Sequence, residues 1–262
     1  MDHSRVDAYL HRIGAERPAA PTAGALRALH HAHLRSVPFE NLSVHLDEDV
    51  VLAPAALVAK VVDRRRGGFC YELNGAFAAL LGALGFEVAL LQARVIGEDG
   101  RPGIPFDHMA LRVRTADGGD RLADVGFGAF IAEPLLFDER GEQRDPGGVF
   151  RIEDAPYGDL LVLQDGAAQY LLDPRPRELR DFEGGSWYHR SSPASHFTRS
   201  LVCSRPTGDG RITLSGRTLT TTAAGRRTQR TLDSDAAVLA AYEQHFGIVL
   251  ATPPPEPDRT AD

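Results

Sequence analysis

Arg65-Arg-Gly-Gly-Phe-Cys-Tyr-Glu-Leu-Asn-Gly75 is the stretch from which the rest of the chain can be read. Two glycines precede a cysteine. After Cys70 the apolar residues Leu73, Phe77, Leu80, Leu81 and Leu84 recur at helical spacing, and Gly85 follows as a natural C-cap. The reading is a helix over 70–84 with the cysteine at its N-terminus. A helix N-terminus carries about half a positive charge and free N–H groups, which favour thiolate over thiol. The glycines would let the loop turn sharply and let a substrate approach the sulfur. A buried core cysteine is the plain alternative, because free cysteine is among the most buried residue types.

Working outward, the N-terminal side is helical. Val6, Tyr9, Leu10 and Ile13 make one stripe, closed by Gly14. Residues 22–36 form a second helix, ended by Val37-Pro38, and residues 53–65 a third, with Pro54 in its first turn. From Phe86 the pattern changes to strands, over 87–96, 107–114, 121–125, 150–152, 160–164 and 168–172. Further strands are expected over 200–204, 211–215, 218–222 and 226–232, followed by a helix over 234–246. Helices, then strands, then strands plus a helix give an α+β class rather than an alternating parallel sheet. The Pro-rich, charged segment from Thr252 onward reads as disordered.

Composition sets the outer bounds. The chain has 262 residues, 43% hydrophobic and 25% charged, which suits a globular protein and excludes wholesale disorder. Its net charge of −7 gives no general attraction for nucleic acid or an anionic membrane. Two cysteines, Cys70 and Cys203, exclude a disulfide scaffold and a four-cysteine zinc site. Of the 29 basic residues only Lys60 is a lysine, a bias that points to a GC-rich gene. The N-terminus carries charge where a signal peptide would be apolar. The longest apolar run, residues 76–83, falls far short of the roughly 20 residues of a membrane span. A cytoplasmic location with reduced thiols is expected.

A thiolate nucleophile needs a base and a group that orients the base. His108 lies on a strand in Phe106-Asp-His-Met-Ala-Leu-Arg-Val113, and Asp124 on the next strand in Leu122-Ala-Asp-Val-Gly-Phe-Gly128. If these strands pair about a turn centred on 116, near Asp117-Gly-Gly119, the two residues face one another. Asp107 and Asp120 are rival orienters, but that register puts them off the face that carries His108. The plain alternative for Asp124 is a polar residue at a strand end. Cys203 lies mid-strand among apolar neighbours and reads as core. His30-His-Ala-His33 looks like a metal cluster, but no carboxylate sits at matching spacing, so a solvated helix face is the better reading and no metal is expected.

These segments, in this order, resemble the arylamine N-acetyltransferases: R-R-G-G-F-C-Y-E-x-N-G, F-D-H-M-x-L-x-V and D-V-G-F-G. Val37-Pro-Phe-Glu-Asn-Leu42 resembles that family's N-terminal signature. Gly185-Ser-Trp-Tyr188 and Ser192-Pro-Ala-Ser-His-Phe197 resemble its loop entering the third domain. The resemblance implies a helical bundle over 1–85, an antiparallel β-barrel over 86–190 and an α/β lid over 191–262. It implies a papain-like triad of Cys70, His108 and Asp124, and ping-pong acetyl transfer from acetyl-CoA to an arylamine, hydrazine or arylhydroxylamine, with no tightly bound cofactor. It further implies an acceptor pocket of Phe39, Val95, Phe127 and Phe197, a coenzyme A approach along Gly126, Phe127 and Gly128, and a monomer or homodimer. Arg65, Arg66, Glu40 and Asn41 are expected to be structural.

Three features depart from the family's pattern. Asp107 precedes the base where threonine is common, Leu73 stands where bacterial members often carry His or Gln, and no further helix is expected after Ile248. Arg205-Pro-Thr-Gly-Asp-Gly210 matches an acetyl-CoA loop pattern of an unrelated acetyltransferase class, but a strand follows instead of a helix, so a hairpin turn is expected. Three other functions compete with this one. A macrolactam-forming amide synthase fed by a carrier-bound polyketide thioester uses the same triad. A papain-like protease or transglutaminase is disfavoured by the D-V-G-F-G and later signatures, and a non-catalytic binding member by the complete triad.

Overall fold

The protein is described by a computed structural model, over residues 1–128 and 131–257. The N-terminal part holds α1 (His3–Ile13), α2 (Ala23–Ser36), the two-residue strand β1 (Phe39–Glu40), α3 (Leu42–His45), α4 (Pro54–Val62) and α5 (Cys70–Ala83). The starts follow local chemistry. The side chains of Asp2 and Thr22 accept N–H groups at the starts of α1 and α2, Pro54 opens α4, and Gly14 ends α1 in the left-handed region. Leu10, Leu26, Leu57, Leu73 and Phe77 are among the residues that knit α1, α2, α4 and α5 into one core.

The middle part is an antiparallel sheet of eight strands. They are β2 (Glu87–Val95), β3 (His108–Arg114), β4 (Asp120–Ala123), β5 (Leu135–Leu136), β6 (Gln143–Asp145), β7 (Gly148–Asp154), β8 (Leu160–Gln164) and β9 (Ala167–Leu172). Their order is β5-β4-β3-β2-β9-β8-β7-β6. The end strands meet through a side chain, since Gln143 accepts the Leu136 N–H at 2.6 Å and donates to the Leu136 carbonyl at 3.0 Å. The sheet is thus nearly closed, as the barrel reading anticipated.

After it come α6 (Glu183–Ser191) and α7 (His196–Arg199), then β10 (Val202–Pro206), β11 (Gly210–Ser215), β12 (Thr218–Ala223), β13 (Arg226–Thr231) and α8 (Asp235–Phe246). These strands make a five-stranded sheet, β1-β10-β11-β12-β13. Strand β1 therefore sews the N-terminal part to the last sheet. Residues 207–209 are a hairpin turn between β10 and β11, as read from the sequence. No helix among the described residues is long and apolar enough to cross a membrane.

Four expectations need correction. The 185–188 stretch is helical, although Gly184 and Gly185 open it. The hairpin between β3 and β4 pairs Leu111 with Ala123 and Arg114 with Asp120, so it centres on 117 rather than 116. Gly118 and Gly119 take positive φ values of 102° and 82°, which let the chain reverse within the turn over residues 115–119. The segment after Thr252 packs against the lid through residue 257, with Pro254 buried and Glu256 3.6 Å from Arg217; residues 258–262 lie outside the described part. His30 and His33 are not on a solvated face but fully buried, and no metal-binding cluster occurs among the described residues.

Burial lowers His30 to about 4 and His33 to about 3. Both rings fold neutral, whereas an unfolded imidazole titrates near 6.5. Between those values the unfolded chain binds more protons, so stability falls as pH falls. Unfolding by denaturant should show stability declining from pH 6.5 toward pH 4.5, with a slope approaching about 1.4 kcal/mol per pH unit for each histidine. A flat profile over that interval contradicts the buried neutral state.

Candidate active site

Cys70 is the first residue of α5, and Phe69 is its N-cap. Glu72 reaches back to accept the Phe69 N–H at 3.3 Å, which fixes the helix start. Its other oxygen takes the ammonium of Lys60, which also donates to Ser43 at 2.8 Å. The chain's only lysine is thus a buried ion partner of the turn that carries Cys70. Burial raises the Glu72 carboxyl and Lys60 opposes the rise. Beside it, Arg66 donates to Glu40 at 2.9 Å and to Glu48 at 3.2 Å, a structural pair as expected.

The glycines before Cys70 serve packing. A Cβ on Gly67 would stand 1.8 Å from the Pro38 carbonyl oxygen, and one on Gly68 2.7 Å from the Glu72 Cβ. What approaches them is the protein's own chain, with the Glu40 backbone N–H donating to the Gly68 carbonyl at 2.9 Å.

His108 opens β3 and Asp124 lies just past the end of β4. In the observed register His108 would face Gly126, so Asp124 is a diagonal neighbour on the same face. The His108 Nε2 lies 2.7 Å from Asp124 Oδ2, and both residues are buried. Cys70 also acts on the ring and favours its charged form. Burial works against a charge on His108; the Asp124 carboxylate, with a smaller contribution from Cys70, outweighs it and pushes the imidazole up to about 10. Of the rivals only Asp107 lies off this face; contrary to expectation Asp120 shares it, but at the far end of the ladder, opposite Arg114. Asp120 pairs with Arg114 at 2.9 Å, and Asp107 lies 3.1 Å from His189 Nε2.

Three residues not assigned roles from the sequence complete the site. Asn74, one turn after Cys70, donates to Asp124 Oδ1 at 2.9 Å and to the Met109 carbonyl at 2.6 Å, and accepts the Val125 N–H at 3.0 Å. The i, i+4 spacing from the cysteine was the signal that could have found it. The ring of Tyr170 packs 5.4 Å from that of His108. His30 contacts the Asp124 backbone. Gly126 is required by close approach, because a Cβ there would meet Cys70 Cα at 2.7 Å.

Of the expected pocket residues, Phe39 and Phe197 pack beside Cys70, with ring centroids 6.1 Å apart. Phe127 packs edge-on against His108 at 5.1 Å. Val95 pairs with Tyr170 and shares the His108 face of β2. Gly128 has a positive φ of 91°, and its carbonyl accepts from Arg211 at 2.8 Å. Cys203 is a core residue of the lid, and burial pushes its thiol up.

A thiol, an imidazole and a carboxylate are thus buried together on an α+β scaffold. A family profile described as N-acetyltransferase matches residues 22–254. The arylamine N-acetyltransferase of Mycolicibacterium smegmatis is 38% identical over 250 residues, 92% of this chain and 91% of that protein. The structure of the Salmonella typhimurium arylamine N-acetyltransferase superposes with a TM-score of 0.87 at 31% identity, over 95% of this chain and 92% of that one. The Mycobacterium marinum arylamine N-acetyltransferase, solved in complex with CoA, gives a TM-score of 0.84 at 32% identity, over 93% and 92% of the two chains. The chain belongs to the arylamine N-acetyltransferase family of acyltransferases.

Two outcomes test the site. Iodoacetamide should modify Cys70 and spare Cys203; equal labelling contradicts the assignment. Asp124→Asn removes the charge that keeps His108 protonated, so alkylation of Cys70 at pH 7 should slow by about tenfold or more.

Proposed function

We propose that the protein transfers an acetyl or short acyl group from acetyl-CoA to an arylamine, hydrazine or arylhydroxylamine through an acyl-Cys70 intermediate. The observation that carries this reading is His108 held between buried Asp124 and Cys70. The imidazole can take the thiol proton and keep it beside the sulfur, while Asp124 offsets the charge on the ring.

In the first half, Cys70 sulfur attacks the thioester carbonyl. The tetrahedral oxyanion meets the first-turn N–H groups that a helix leaves outside its own ladder. The carbon–sulfur bond to coenzyme A then breaks, and the leaving thiolate takes the proton from His108. One thioester replaces another, so the step is nearly thermoneutral. In the second half the amine nitrogen attacks acyl-Cys70, His108 accepts the amine proton, and the Cys70 thiolate leaves. Because coenzyme A departs before the amine enters, one cleft serves both. Phe39, Val95, Phe127 and Phe197 would supply apolar walls for an aromatic acceptor, and the 126–128 turn would supply backbone groups for the pantetheine arm. With a net charge of −7, recognition of an anionic donor must be local.

Intact mass after incubation with acetyl-CoA should rise by one acetyl group, on Cys70. Cys70→Ala should show no gain and no transfer to an arylamine, while Cys203→Ala should keep both. An unmodified Cys70 contradicts the acetyl-CoA reading and favours a carrier-bound thioester as donor.

A further inference from the structure

His30 lies in the middle of α2 and is completely buried. Its Nε2 stands 3.3 Å from the backbone nitrogen of Asp124, and its Nδ1 3.0 Å from the carbonyl oxygen of Ala132. An N–H can only donate and a carbonyl can only accept, so the two contacts fix the tautomer: Nδ1 carries the proton and Nε2 is bare. The ring also packs edge-on against Phe77 of α5, with centroids 6.1 Å apart. One imidazole therefore holds both ends of the 124–132 segment while resting on the helix that carries the nucleophile.

That segment contains the triad acid and the Gly126-Phe127-Gly128 turn. The Asp124 carboxylate has its own anchors in Asn74 and in the Gly126 N–H, which it accepts at 2.9 Å. Its main chain lies past the last β3–β4 pair, so the ladder no longer holds it. We propose that His30 is a positioning residue for acyl transfer, which ties the backbone of Asp124 to that of Ala132 so that the carboxylate stays aimed at His108. The inference rests on the triad reading above. His33, one turn on, is an internal comparison. It is equally buried and hydrogen-bonds Tyr9 at 3.0 Å, with no contact to Asp124. A merely structural histidine would behave like His33.

The test measures Cys70 alkylation by iodoacetamide at pH 7 in full-length protein, with kcat and KM for arylamine acetylation alongside. His30→Leu should slow alkylation by about tenfold in the Asp124 protein but by less than about twofold in an Asp124→Asn background, the mark of two residues acting through one group. His30→Gln, whose side-chain oxygen can accept the Asp124 N–H, should recover most of the rate. His33→Leu should lower the unfolding midpoint and leave alkylation unchanged. If His30→Leu does not fold, Gln and Asn carry the same comparison, because Asn is too short to reach the Asp124 N–H. The proposal is overturned if His30→Leu has no effect, if its effect is the same in both backgrounds, or if His33→Leu slows alkylation equally. If Asp124→Asn itself leaves alkylation unchanged, the triad reading fails first; slowing by Asp124→Asn without slowing by His30→Leu removes only the role of His30.

Discussion

The structure depends on how closely the first turn of α5 is pressed against the ends of β3 and β4. Gly126 approaches the Cys70 backbone so nearly that no side chain fits between them. Asn74 then fastens helix to sheet, with its amide shared among Asp124, Met109 and Val125. Without this clasp the sulfur and the imidazole would belong to separate layers. With it, Cys70, His108 and Asp124 share one dry site, where a carboxylate acts more strongly on an imidazole than it could in water.

Dryness has a cost that the surroundings must offset. A buried imidazolium, carboxylate and thiolate are each unfavourable alone. Asp124 is therefore surrounded by donors, from His108, Asn74 and the Gly126 N–H. The helix start beneath Cys70 is braced by a second buried charge pair, Lys60 with Glu72, and Glu40 with Arg66 ties the preceding loop to β1. These groups do no chemistry; they hold the frame in which the chemistry is possible.

Much of this was legible in the sequence, and the reasons for the misses are physical. The helix over Cys70 and the strands with His108 and Asp124 follow from periodicity, and the same-face relation survived because the register error was an even number of residues. Asn74 was visible as a letter in the motif but had no role until the fold set it beside Asp124. His30 and His33 were misread because histidine is polar. Their spacing with Leu26 and Leu29 is that of a core face, and two neutral rings fit there, His30 bonded at both nitrogens and His33 at Nε2. Helix α6 was hidden by two glycines of low helix propensity that tertiary packing overrode: a Cβ on Gly185 would collide with the Phe106 carbonyl at 2.4 Å. Strand β1 is two residues long, too short for any periodicity to show.

The charge state of His108 is the most direct measure of this account. Nitrogen-15 NMR of histidine-labelled protein, with His108 assigned by comparison with a His108→Gln variant, would follow that ring across pH. Held by Asp124 and Cys70, the imidazole should stay protonated through neutrality and give up its proton only near pH 10. A ring that titrates near the ordinary 6.5 or below would contradict the account, because burial would then have won over the pair on which the site is built.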